Sequence, residues 1–223
     1  MATLSEIRDA VKDDLDLEDE DFIDNDEIDR HIRRGVKSAQ KIALGLNEDY
    51  FLAKATITLV GGTAEYSLPA GIYAHKVRKL LWDDGSESYV ITRVKNLENT
   101  ASVMNTFQSD RDLKYLIVTT GAEPKITFYP TPSQAGPVVT IWFLRTAASL
   151  EANSDVLDVP EAYDYVVQFA KDACLNKERG TPDAQPSAAL KEEQTLLEAD
   201  LMNRVPDDDN FAQPDMSFYE ECN

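Results

Sequence analysis

The sequence predicts an α+β protein: a helical bundle carrying an inserted antiparallel β-sandwich or small barrel, followed by an extended C-terminal tail. Three observations predict it. Apolar residues recur at helical spacing over residues 1–50 and again over 151–205. Between them, over 51–150, the period changes to two and turn residues punctuate short apolar runs. Residues 206–223 follow no period. Of the 223 residues 43% are hydrophobic, enough for one substantial core, or for one core with an inserted second layer.

The first helix is announced by Thr3-Leu4-Ser5-Glu6, a capping box, with Ile7, Val11 and Leu15 on one face. Residues 13–21 are almost wholly acidic and predict a solvated turn. Asp24 then stands as an N-cap with Glu27 three residues on, and Ile23 and Ile28 have the spacing of a hydrophobic staple. Ile28, Ile32, Val36, Ala39 and Ala43 continue that helix, while Arg30, Arg33, Arg34, Lys37 and Lys41 take its other face. A basic helix in acidic surroundings is expected to pair with acidic neighbours in its own chain or another copy.

From residue 55 the strands begin. Ile57 and Leu59 alternate with threonines, Gly61-Gly62 turns the chain, and Tyr66-Ser67-Leu68-Pro69 returns, which predicts a hairpin. A second hairpin is predicted from 77–82 and 89–94 around Asp83-Asp84-Gly85-Ser86. Residues 96–107 suggest a short helix or irregular connection, and 115–119, 125–129 and 138–144 give three more strands.

The organising helix follows. Leu157-Asp158-Val159-Pro160-Glu161 offers Asp158 as N-cap, Glu161 at the capping-box position and Pro160 in the first turn. Tyr163, Val166, Val167, Ala170 and Ala173–Cys174 form a stripe, widened by Ala162 and Phe169, that needs more than one neighbour to bury it. Gly180 suits the position just past its end and Pro182 bars continuation. Leu190, Gln194, Leu197 and Leu201 mark a last helix.

The formal net charge is −19. With no Lys/Arg run, sequence-level DNA reading is not expected; the acidic surface serves either solubility, as in a salty habitat, or the repulsion of polyanions. The longest apolar run, 138–144, is far short of the ~20 residues of a membrane span, and residues 1–6 lack the basic and apolar regions of a signal peptide. Cys174 and Cys222 make no disulfide framework, which points to a reducing compartment.

The residues supply no catalytic, cofactor-binding or metal-binding set. Asp14 to Asp19 begins like a calcium loop, but Asp19 stands where glycine belongs and Asn25 where glutamate does. His31 and His75, the only histidines, have no nucleophile or metal ligand at a telling spacing, and no phosphate-cradling glycine loop occurs. Trp82 and Trp142 alternate within strands and are expected in the core, not on a carbohydrate-binding face. In the tail, Phe211, Met216, Phe218 and Tyr219 lie spaced along an acidic segment. Such a segment gains little by folding back on an acidic domain and more by laying its aromatics on a partner.

Several segments together resemble the tailed-phage head-to-tail adaptor, or connector, family. They are Tyr66-Ser67-Leu68-Pro69, then Ile126-Thr127-Phe128-Tyr129-Pro130-Thr131-Pro132, then Val139-Thr140-Ile141-Trp142-Phe143-Leu144-Arg145, then Leu150 and the helix start at residues 157–163. The resemblance spans about residues 4–203. It implies a structural virion protein at the capsid vertex, assembled in the host cytoplasm, that forms a dodecameric ring under the portal protein. DNA would pass through the ring without specific binding, and the far face would receive the next neck or tail protein. Portal contact would fall to the tail residues Phe211, Met216, Phe218 and Tyr219. Ring and bundle contacts would fall to Arg30, Arg33, Arg34, Lys37, Tyr163 and Phe169. The alternatives are another neck or tail-completion protein, such as a tail terminator, and an acidic metal-dependent phosphoesterase.

Overall fold

The computed structural model describes residues 2–15, 23–94, 113–120, 123–133, 135–180 and 185–204. The predicted connection at 96–107 and the tail 206–223 lie outside them, as does most of the acidic turn. The chain divides into a helical unit, Met1–Asn47 with Ala148–Asn223, and a β unit, Glu48–Ala147.

The helical unit holds α1 (Leu4–Leu15), α2 (Asn25–Leu46), α3 (Tyr163–Glu178) and α4 (Ala188–Arg204). α1 starts on the predicted capping box: Glu6 N–H donates to Thr3 Oγ1 at 3.3 Å and Thr3 N–H to Glu6 Oε2 at 2.8 Å. α2 starts on Asp24, whose Oδ1 accepts the Glu27 N–H at 2.7 Å, with Ile23 and Ile28 buried beside it. α3 packs against α1, α2 and α4, so the helix expected to organise the unit does so. Tyr165, Val166, Val167, Ala170 and Cys174 are its buried residues. Gly35 of α2 leaves room for this approach: a Cβ there would sit 3.4 Å from Phe169 and Val166. Gly180 takes a left-handed φ of 65° just beyond the C-cap Arg179, as the sequence predicts.

The start of α3 differs from expectation. Residues Pro160–Ala162 form a 3-10 turn, and no side chain caps α3. The Asp158 carboxylate accepts the Ala148 N–H at 2.6 Å, which holds the incoming loop. The buried stripe is also rotated: Tyr165 is in the core, whereas Tyr163, Phe169 and Ala173 are half-buried.

The β unit is one curled, mixed seven-stranded sheet, a half-barrel in place of the antiparallel sandwich or small barrel. Its strands are β1 (Leu52–Thr58), β2 (Glu65–Ser67), β3 (Ile72–Asp83), β4 (Ser88–Arg93), β5 (Lys114–Thr120), β6 (Glu123–Tyr129) and β7 (Val138–Arg145), ordered β1-β7-β3-β4-β5-β6-β2. The β3–β4 hairpin is as predicted, with Leu80 opposite Ile91. The β4–β5 pair is parallel. The hairpin predicted across Gly61-Gly62 does not form: β1 pairs with β7, β2 pairs with β6, and the two lie at opposite edges. A flat sheet of this many strands would separate those edges by roughly 29 Å. The chain from Thr58 to Glu65 spans at most about 25 Å, and it turns at Gly62 (φ 81°). The sheet therefore has to curl. Two connections lie along the resulting seam and bond to each other, Leu59 N–H to Pro137 O at 2.8 Å and Gly62 N–H to Pro132 O at 2.9 Å. The concave face encloses Leu59, Leu80, Trp82, Ile91, Ile126, Phe128, Val139 and Ile141. Trp82 is thus core; Trp142 is half-buried, with the Lys79 ammonium 5.6 Å from its ring centroid.

Candidate functional site

The polar chemistry of the helical unit gathers on α2. Asp29, on the side of the helix facing α1, is buried and takes a two-pronged bond from Arg8: Nε to Oδ1 and Nη2 to Oδ2, both 2.7 Å. Arg8 Nη2 also donates to Asn153 Oδ1 at 2.9 Å, tying α1 to the loop before α3. Its bond to Asp29 raises the Arg8 pKa, so the guanidinium stays charged. This is a joint between elements, not a reactive group.

The basic face predicted on α2 is divided among different tasks. Arg30 is exposed and pairs with Glu27 at 2.9 Å, and Glu27 also receives Lys177 from α3. Those contacts, the Lys177 bond first, lower the Glu27 pKa. Arg33 turns inward along the loop, donating from Nε to Leu150 O at 2.9 Å and lying 3.5 Å from Glu151. Arg34 and Lys37 are exposed.

Arg34 and Phe169 are brought together. With His31, Asp172, Ala173, Asn176, Pro186 and Leu190 they line a cavity of about 220 Å³. Asp172 is engaged there, accepting from Gln168 Nε2 at 2.9 Å and from the Ser187 N–H at 3.1 Å. His31 is only 8% exposed, and among the described residues neither ring nitrogen has a hydrogen-bond partner. Burial, then the Arg34 charge, lowers its pKa, so the ring is held neutral. Tyr163 belongs elsewhere: burial first, then the Asp164, Glu6 and Asp14 carboxylates, raises its pKa, which places it toward α1. Cys174 is a buried free thiol pushed up to about 11 by burial, too high for a nucleophile.

The β unit contains a second polar site that the sequence did not signal. A cavity of about 540 Å³ is lined by His75, Lys76, Arg78 and Arg93, with Tyr115 and Ile117 behind them. It arises where β3 loses register between Ile72 and Val77, and Ala74 (φ 47°) and His75 (φ 55°) adopt left-handed backbone. Glu48 engages Lys76 and Arg78, and Asp49 lies 3.0 Å from Arg78 Nε. Local charge is therefore nearly balanced.

Among the described residues no cluster of His, Cys, Asp or Glu could hold a metal ion, and no helix is long and apolar enough to cross a membrane. Most of the calcium-loop-like stretch, and all four tail residues Phe211, Met216, Phe218 and Tyr219, lie outside the described residues.

No curated protein matches the chain. One family model does, over residues 2–216: that of the SU10 adaptor protein. The match takes in both helical segments, the whole β unit between them and much of the tail, so it concerns the assembled architecture and not one motif. The chain belongs to this family of tailed-phage head-to-tail adaptors.

Proposed function

We propose that the chain forms a ring of twelve copies under the portal protein, extends the DNA channel, and presents its far face to the next neck or tail protein. The family match over residues 2–216 carries this reading. Ring contacts fall to the basic face of α2 and its surroundings: Arg30, Arg33, Arg34, Lys37, Tyr163 and Phe169. Residues 206–223 are the portal-directed clasp, with Phe211, Met216, Phe218 and Tyr219 as anchors. Each contact of such a tail is weak after the cost of ordering it, and multivalency makes the joint strong. A net charge of −19 supports a conduit that DNA traverses without sticking. The protein works as a structural part, not as an enzyme.

The experiment is truncation after Val205. The shortened chain is expected to stay folded and to lose attachment to portal-bearing capsids. Normal docking and DNA retention by the truncated chain would overturn the clasp assignment. Light scattering of the full chain with and without portal protein measures the ring. Tight, salt-sensitive binding of duplex DNA to the assembled ring would contradict the conduit reading.

A further inference from the structure

We infer that the cavity beside His31 is the docking site for Tyr219 of the same chain, so that the free subunit carries its C-terminal segment latched to its own helical unit. The inference goes beyond the adaptor reading and concerns the chain before it meets any partner.

The cavity has the marks of an unfilled receptor. His31 stands in its wall, more than nine-tenths buried, with both nitrogens unpartnered among the described residues. A buried polar group without a bond is destabilising, so an unmatched imidazole calls for a partner. The rest of the lining is an apolar wall, Phe169, Ala173, Pro186 and Leu190, an exposed cation, Arg34, and two polar side chains, Asn176 and Asp172, the latter already accepting from Gln168 and the Ser187 N–H. Its size of about 220 Å³ suits one inserted side chain rather than a packed element. The matching occupant is an aromatic ring with a hydroxyl at its tip and a carboxylate close by. The ring would lie on Phe169 and Leu190, and the hydroxyl would donate to the unprotonated nitrogen of the neutral imidazole. The imidazole torsion is soft enough to turn a nitrogen toward it.

The chain's own tail carries that combination. Of its aromatics, Phe211, Phe218 and Tyr219, only Tyr219 has a hydroxyl, and Glu220 and Glu221 follow directly, within reach of Arg34. Geometry permits the return. α4 lines the cavity with Leu190 and ends at Arg204, about 21 Å further along its axis. Residues 205–219 can span up to about 50 Å. Tethering raises the local concentration of Tyr219 into the millimolar range, which favours the chain's own cavity over another copy's. The overall negative charge is a weaker objection than it looks, because Arg30, Arg34, Lys37 and Lys41 all present an exposed cation on α2. Portal binding by the tail then becomes an exchange of one seat for another.

The test uses full-length chains without portal protein, so its failure and the failure of the clasp reading are distinguishable. Tyr219→Ala changes none of the described residues. The probe is a synthetic peptide of residues 207–221. It is expected to bind full-length Tyr219→Ala saturably, and to bind the wild-type chain at least about 10-fold more weakly because the tethered residue competes. Tyr219→Phe is expected to fall between them. In nitrogen NMR the His31 imidazole should carry a hydrogen-bonded shift in wild type that Tyr219→Ala loses. Equal peptide affinity for wild type and Tyr219→Ala, or an unchanged His31 spectrum, overturns the inference. Self-association of the wild type that Tyr219→Ala abolishes would put the segment on a second copy and also overturn it.

Discussion

The two units are stabilised differently. The β unit encloses an almost wholly apolar core, and of its described residues only Thr127 is both polar and buried. The helical unit buries Asp29, His31 and Gln40, and joins α1, α2 and the 148–158 loop through Arg8, Asp29 and Asn153. Apolar burial is nearly indifferent to pH, whereas buried charge and buried imidazole are not. The helical unit should therefore be the acid-sensitive half. Both tryptophans, Trp82 and Trp142, lie in the β unit, so their fluorescence follows that unit alone while far-UV dichroism follows the helices.

The largest expected effect breaks the helical unit. Val166→Asp puts an unpaired charge on the fully buried face of α3 and should cost about 5 kcal/mol. Helix signal should melt far earlier while tryptophan fluorescence melts near its wild-type temperature. Coincident melting of the two signals would show one cooperative block and remove the contrast.

Next comes its counterpart, Phe128→Ala. It empties the β core and should cost about 3–5 kcal/mol. Here fluorescence should move first, by an amount that does not change between pH 7 and pH 5.

Asp29→Ala strands the Arg8 guanidinium and should cost about 3 kcal/mol, read in the helix signal. Replacing both partners, Arg8→Met with Asp29→Leu, should recover most of it. A double variant no better than the single one would mean the joint does more than neutralise itself.

The smallest effect is the pH dependence of His31. Its folded pKa is lowered by burial and by Arg34, with Arg30 and Lys177 acting the same way and Glu27 opposing them. Above the unfolded value of about 6.5 both states are neutral. As pH falls below that value the unfolded chain takes a proton the folded unit resists, so stability falls. Glu27, whose pKa is lowered by Lys177, loses its contribution further into acid, below its own unfolded value. His31→Leu should remove the dependence between pH 7 and 5 and leave the loss below it. An unchanged slope in that variant would assign the sensitivity to another group.

What the sequence made legible was local. The caps at Thr3 and Asp24, the end at Gly180 and the β3–β4 turn depend on residues three or four apart, and each appears in the structure. What it hid was long-range. Gly61-Gly62 carries a genuine turn signal, but the partners of β1 and β2 lie in β7 and β6, later in the chain, so the hairpin it suggested is overruled. Asp158 also accepts the N–H of Ala148, ten residues earlier, a bond no local pattern announces. Arg8 with Asp29 and Asn153, and the strained Ala74–His75 step, leave no periodic trace at all. The acidic-aromatic tail was visible only as composition.

The first and last strands of the β unit are paired in register, Leu52 opposite Leu144, and Arg145 N–H bonds Phe51 O at 3.0 Å. The insert thus enters and leaves its host side by side, at the spacing of two neighbouring strands. To the helical unit it amounts to one closed loop, however many residues that loop contains. A graft of any other fold whose ends meet at about 5 Å would satisfy the same junction. The helical frame therefore constrains the module it carries only at those two chain ends.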